Sequence, residues 1–160
     1  IKSSISDKIN FYPFAVGNTS KLKTFYENTE KVDVANIGAS SFISENLKEY
    51  KSYKVPVFKL SEVLSDEKID FYLALIDVEG YELQVISNQE EIFSRFKHIC
   101  LEVTLSTEDN PNCENLLKID SVLKEYRFKL VASKNNSKET IENLIESDIL
   151  ITDLLYSKNS

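Results

Sequence analysis

The stretch "LALIDVEGYELQVI" (Leu73 to Ile86) joins an apolar run to a helical pattern through Asp77, Val78, Glu79 and Gly80. The run itself, "IDFYLALID" from Ile69 to Asp77, is nearly all apolar beyond Asp70. It predicts a strand covered on both faces, as in a parallel sheet. In α/β sheets, ligands bind beyond the carboxyl ends of the strands, and Asp77 to Gly80 falls at such an end. If the chain stays extended there, Asp77 and Glu79 point to the same side, because side chains alternate with period two. Two carboxylates on one side repel each other unless a cation, a donor set or a shared proton relieves them. Gly80 lets the backbone turn sharply or lets a ligand come close. The group suits a cationic ligand group, a metal or proton transfer. A turn without function is the competing explanation. Acidic residues near helix N-termini are favoured by about 0.3–1 kcal/mol, and Gly is a modest N-cap.

Working outward, Tyr81 to Phe96 carries Leu83, Ile86, Ile92, Phe93 and Phe96 with a polar break at Ser87 to Gln89. This predicts one broken helix or two short ones. "HICLEVT" (His98 to Thr104) reads as a second buried strand. Asn110 as cap and Pro111 at the first helical position open a helix bearing Leu116, Ile119, Leu123 and Tyr126. "RFKLVAS" (Arg127 to Ser133) is a strand, Ser137 caps a helix with Ile141, Leu144 and Ile145, and "DILITDLLYSK" (Asp148 to Lys158) is a closing strand. From Ile69 onward strands and helices alternate, which is an α/β pattern. The N-terminal third is less regular. Ile9 to Asn18 and Lys21 to Asn28 read as strands, and Ser44 caps a short helix reaching about Tyr50. "KVPVFKL" (Lys54 to Leu60) is a short strand that Pro56 demotes to an edge or an extended connection, and Ser61 opens one helical turn. The chain reads as a single domain over residues 1–160, irregular and β-rich over 1–60 and alternating over 61–160.

The totals fit this picture. A length of 160 residues suits one domain with a core, and 42% hydrophobic with 28% charged residues is a globular composition. The net charge is −7, with Lys and Glu interspersed. No basic patch stands out, so nucleic acid is not an expected partner. Every apolar run falls well short of the roughly 18–20 residues that span a bilayer, and no N-terminal signal pattern is seen. Cys100 and Cys113 have no C-x-x-C spacing, and Cys100 reads as a small buried hydrophobe in a strand. A reducing, cytoplasmic setting follows as the expectation. His98 is the single histidine, which argues against a His-based metal site or a Ser-His triad.

"LIDVEGYELQVI", followed by an apolar strand ending in a Glu ("ICLEV"), resembles the FkbM-type methyltransferase family. "YPFAVGN", "GASSF" and "VPVFKLSEVL" resemble three more of its segments, in the family's order. The resemblance covers about Ile9 to Lys158. It implies a Rossmann-like, S-adenosylmethionine-dependent methyltransferase that methylates a hydroxyl on a small molecule, sugar or glycan. It implies cofactor contacts at Ala15, Val16, Gly17, Asn18 and Gly80, with Asp77 and Glu79 as catalytic residues. It places Ser40, Ser41 and Glu102 toward the acceptor. Two carboxylates without further ligands make a weak metal case, so no metal is expected.

The chain departs from the family in three respects. Its three glycines, Gly17, Gly38 and Gly80, form no G-x-G arrangement, so the glycine-rich first motif that cradles the cofactor is missing. So is the second strand with its acid for the ribose. The resemblance implies the sheet order 3-2-1-4-5-7-6, in which strands 1 and 2 lie between Ile9–Val16 and Ile69–Asp77. Without them, strand 4 exposes an apolar edge. The expected fold is therefore an α/β Rossmann-like methyltransferase sheet missing its first two strands. The expected chain is the C-terminal part of a longer protein. The alternatives are a rearranged minimal domain whose N-terminal strands pair directly with strand 4, and a non-catalytic scaffold or interaction module. Arg127 stands where the family often has Gly, and must accept a left-handed conformation or end its helix differently.

Overall fold

The computed structural model describes residues 9–29, 42, 50–104, 112–134, 136, 140–145 and 151–158. Among the described residues, seven strands fall into two sheets: β1 (Ala15–Val16), β2 (Lys21–Asn28) and β3 (Tyr50–Phe58) in one, and β4 (Phe71–Ile76), β5 (Phe96–Thr104), β6 (Phe128–Ser133) and β7 (Ile151–Lys158) in the other. Helices α1 (Leu60–Val63), α2 (Glu82–Ile86), α3 (Glu90–Phe93), α4 (Asn112–Glu125) and α5 (Ile141–Ile145) lie between the strands of the second sheet and before it.

The second sheet has the order β4-β5-β7-β6, with β4 and β5 parallel and β7 antiparallel to both of its neighbours. This is the 4-5-7-6 half of the order that the resemblance implies. Register pairs Ala74 with Ile99 and Ile76 with Leu101, and Tyr156 and Leu154 follow on β7. These residues form the helix-covered face. Their core partners include Ile86 and Phe93 from the short helices and Leu116, Ile119 and Leu123 from α4. The broken-helix pattern is realised as two helices, with Ser87–Gln89 as the break.

The other face of this sheet is different. Leu75 lies opposite Cys100, and Cys100 opposite Leu155. Leu75 is 71% exposed and Leu73, on the same side, 47%. The expectation of a strand covered on both faces is thus corrected. β4 is an edge strand, covered on its Ala74–Ile76 side and open on the other among the described residues. The N-terminal strands do not pair with β4, which removes the rearranged arrangement among the described residues.

Three further expectations change. Of Ile9–Asn18 only Ala15–Val16 forms a strand, and its neighbour is β3, in parallel. β3 is longer than the sequence suggests and is the central strand, with Pro56 inside it. The geometry explains the proline. Gly17 N donates to Phe58 O at 2.9 Å, so Phe58 turns its main-chain polar groups toward β1. Two residues back, Pro56 turns the same way, where β1 no longer runs alongside, and no ladder bond is lost for want of an N–H. At α1, Lys59 rather than Ser61 occupies the cap position, without a side-chain cap bond. The helix expected from Ser44 and the caps Asn110, Pro111 and Ser137 lie outside the described residues. Arg127 does take a left-handed conformation, φ 67°, where α4 runs into β6.

Candidate functional site

β4 delivers Asp77 at its carboxyl end, and a tight turn follows. Tyr81 N donates to Val78 O at 3.2 Å, closing Val78–Tyr81. Both central residues are left-handed, Glu79 at φ 49° and Gly80 at φ 88°. That is the signature of a type I′ turn. Gly80 occupies its position without strain, whereas a non-glycine residue in this region costs about 1–3 kcal/mol. Glu79 therefore sits where a turn alone would favour Asn or Gly.

The turn brings carboxylates together. One oxygen each from Asp77, Glu79 and Glu102 lies within 4.8 Å of the others. Glu102 reaches the group from β5, one register step beyond Leu101, the partner of Ile76. Asp153 of β7 stands opposite Glu102 and also faces Lys134 at 3.9 Å. The electrostatics follow from this crowding. Glu102 is pushed up from the ordinary carboxylate range, first by burial, then by the charge of Asp77 and a hydrogen bond to it, then by Asp153 and Glu79. Glu79 is also pushed up, by burial first and then by Asp77 and Glu82. Glu102 is thus held in its acid form to higher pH by the negative groups around it, the expected response of crowded like charges. Three carboxylates are also donors that suit a hard cation, but Asp77 and Glu79 are exposed, and exposed acidic groups are common without an ion.

Glu82 is the functional residue that the sequence reading missed. It is 5% exposed, and its Oε1 accepts the Gly80 N–H at 3.0 Å. The backbone N–H groups of Val78 and of Glu82 itself also favour its charged form. Burial dominates and pushes Glu82 up, these donors oppose the shift, and Asp77 adds to it. A signal was present in the sequence, an acid two residues after the glycine, but it reads equally as first-turn helix charge. Asp153 was missed for a similar reason: one acid in an apolar strand reads as an outward-facing residue.

The remaining predicted residues divide. Gly17 is buried, and a Cβ there would lie 2.9 Å from Val57 Cγ1 and 3.4 Å from the Tyr81 ring. It is a close-packing glycine that seats the first sheet against the residue after the turn. Lys23 strengthens this seat by donating to the Tyr81 hydroxyl and lying over its ring, 4.6 Å from the centroid. Gln89, almost fully buried, donates to Gly17 O at 3.4 Å and accepts from Ser61 N at 3.3 Å. Ala15, Val16 and Asn18 flank Gly17, and only Val16 reaches the hollow of 310 Å³ that Asp77 borders, together with Leu75, Val78 and Phe93. Larger hollows of 430 and 530 Å³ lie at Asp70–Lys97 and at Ser87–Tyr126, away from the carboxylates. Ser40 and Ser41 lie outside the described residues. Among the described residues no helix is long and apolar enough to cross a membrane.

No curated protein and no solved structure matches this chain. A family model described as the Methyltransferase FkbM domain matches residues 3–130. That span holds β4, the type I′ turn and Glu102, so the acidic strand end lies inside the matched region, and the chain belongs to the FkbM methyltransferase domain family.

Proposed function

We propose that this chain forms the carboxylate-bearing part of an S-adenosylmethionine-dependent O-methyltransferase acting on a hydroxyl of a small molecule, sugar or glycan. The observation that carries the reading is the meeting of Asp77, Glu79 and Glu102 beyond two parallel strands, in a member of this family. The residues fit the cofactor's chemistry. Acidic groups suit a sulfonium cation, and an apolar hollow of 310 Å³ beside them suits an apolar portion. When bound, the cofactor would supply an electrophilic methyl group to an acceptor oxygen. Ala15 to Asn18 and Gly80 would hold it, and Ser40, Ser41 and Glu102 would face the acceptor.

Asp77 and Glu79 would orient the acceptor hydroxyl and take its proton. Glu79, raised by its surroundings, is the better-matched base, since a general base works best with a pKa near the working pH. Most of the acceleration would come from holding the reacting groups in line. Because the base acts only when deprotonated, activity rises with pH through the raised range of Glu79. Asp77→Asn and Glu79→Gln should each lower methyl transfer by about a hundredfold or more in the full-length protein, with the melting curve retained. Turnover unchanged in both variants would take the two residues out of the reaction.

We further propose that residues 1–160 belong to a single cytoplasmic domain and that the cofactor's cradle is completed by strands beside β4. The edge of β4, unpaired among the described residues, and its exposed apolar residues support that reading. Calorimetry on the 160-residue chain should then show weak or no binding of S-adenosylmethionine. Low-micromolar binding would contradict it.

A further inference from the structure

We propose that Glu82 is a positioning residue whose buried carboxylate holds the Val78–Tyr81 turn in its doubly left-handed form and so sets Asp77 and Glu79 against Glu102. The inference deepens the proposed function and rests on its assignment of Asp77 and Glu79 to the site. Glu79 and Gly80 are both left-handed, a conformation that Glu79 does not favour by itself. Something must over-determine it. The Val78–Tyr81 hydrogen bond closes the turn but does not choose its hand. Glu82 does, because its buried carboxylate accepts the Gly80 N–H at 3.0 Å and so ties the peptide that follows Glu79 back onto the start of α2. That bond holds the Glu79–Gly80 peptide in the orientation of the left-handed turn.

Without that acceptor, the Gly80 amide loses its partner, and the strained residue is free to relax. Relaxation at Glu79 swings its carboxylate and that of Asp77 relative to β5. Glu102 is the reporter of this movement. The acidic groups acting on it are Asp77 and Glu79 from the turn and Asp153 from β7, and Glu82 is not among them. A change at Glu82 reaches Glu102 through the position of the turn and through its charge on Asp77 and Glu79; Gln and Leu at position 82 both remove that charge, so a difference between the two variants reports the turn. The surrounding fold has its own anchors, since Tyr81, Val85 and Ile86 are buried in the core independently of the Glu82 carboxylate.

The test compares Glu82→Gln, which keeps an acceptor oxygen, with Glu82→Leu, which keeps the bulk and loses it, in the full chain. Carbon-13 titration of side-chain carboxyls should find Glu102 above the ordinary carboxylate range in the wild type and in Glu82→Gln, and back toward that range in Glu82→Leu. Gly80 amide hydrogen exchange should be at least tenfold faster in Glu82→Leu and close to wild type in Glu82→Gln. Equal exchange in all three proteins, or a Glu102 titration unmoved in Glu82→Leu, overturns the proposal. One measurement needs no variant: in the wild type, the Gly80 amide resonance must follow the ionisation of Glu82. A Gly80 resonance indifferent to Glu82 overturns the proposal even where Glu82→Leu does not fold. None of these readouts requires methyl transfer, so they stand or fall apart from the assigned activity.

Discussion

β4 and β5 run side by side in the same direction, and both read in the sequence as apolar strands. Their environments diverge. Ile99 and Leu101 of β5 are fully buried, with β4 on one side and β7 on the other. Leu75 of β4, one residue from the buried Ile76, is 71% exposed. An apolar run records the burial a strand is made for, and neighbours decide whether it is reached. β5 has its full set within the described residues, whereas β4 has half of one.

The sharpest way to break this contrast is a pair of truncations. Leu101→Ala should cost about 2–5 kcal/mol by denaturant unfolding, as buried leucines do, and Leu75→Ala should stay within about 0.5 kcal/mol. A large cost at Leu75 would mean that the open face is covered. Next in size is Gly17→Ala, where a Cβ would meet Val57 of the same sheet at 2.9 Å and the Tyr81 ring at 3.4 Å. Overpacking of this kind costs about 1–3 kcal/mol, read in the same unfolding experiment. Leu75→Lys should leave stability unchanged and reduce self-association in light scattering, because a charge on an open apolar edge disfavours strand addition.

The smallest effect tests the polar end of the same two strands. Glu102 titrates higher in the folded chain than in the unfolded one. The folded state therefore holds that proton longer, and stability falls as pH rises from the ordinary carboxylate value to the raised one. Glu102→Gln removes that loss. Its melting midpoint should exceed the wild type's by up to about 2–4 °C at neutral pH and match it at acid pH. A variant less stable at neutral pH would show that the carboxylate is held by groups that favour its charge.

Much of this was legible in the sequence. The β4-β5-β7-β6 elements announced themselves through apolar runs of strand length and helical spacing between them, and both helices around Ser87–Gln89 were visible in one polar interruption. Asp77 and Glu79 were legible because their strand-end position is local information. Glu102 was placed near the acceptor by resemblance, and its hydrogen-bonded approach to Asp77 depends on a register that no local pattern encodes. Glu82 was hidden because its partners are backbone N–H groups, which leave no mark on the sequence. The first sheet was the hardest to read. A nine-residue central strand containing a proline contradicts the usual rule, and only the shortness of β1 makes it permissible.

That proline has a consequence for how the molecule meets other chains. Pro56 offers nothing to donate on the side where β1 ends, so a strand cannot be lengthened there by one more ladder bond. The backbone before Ala15 leaves accordingly through a tight bend, with Phe14 N bonded to Tyr12 O at 3.0 Å. Pro56 acts as a stop that fixes the length of β1 and blunts that flank of β3 against an incoming segment. Among the described residues the second sheet has no such stop along β4, and an intruding strand would find its footing there.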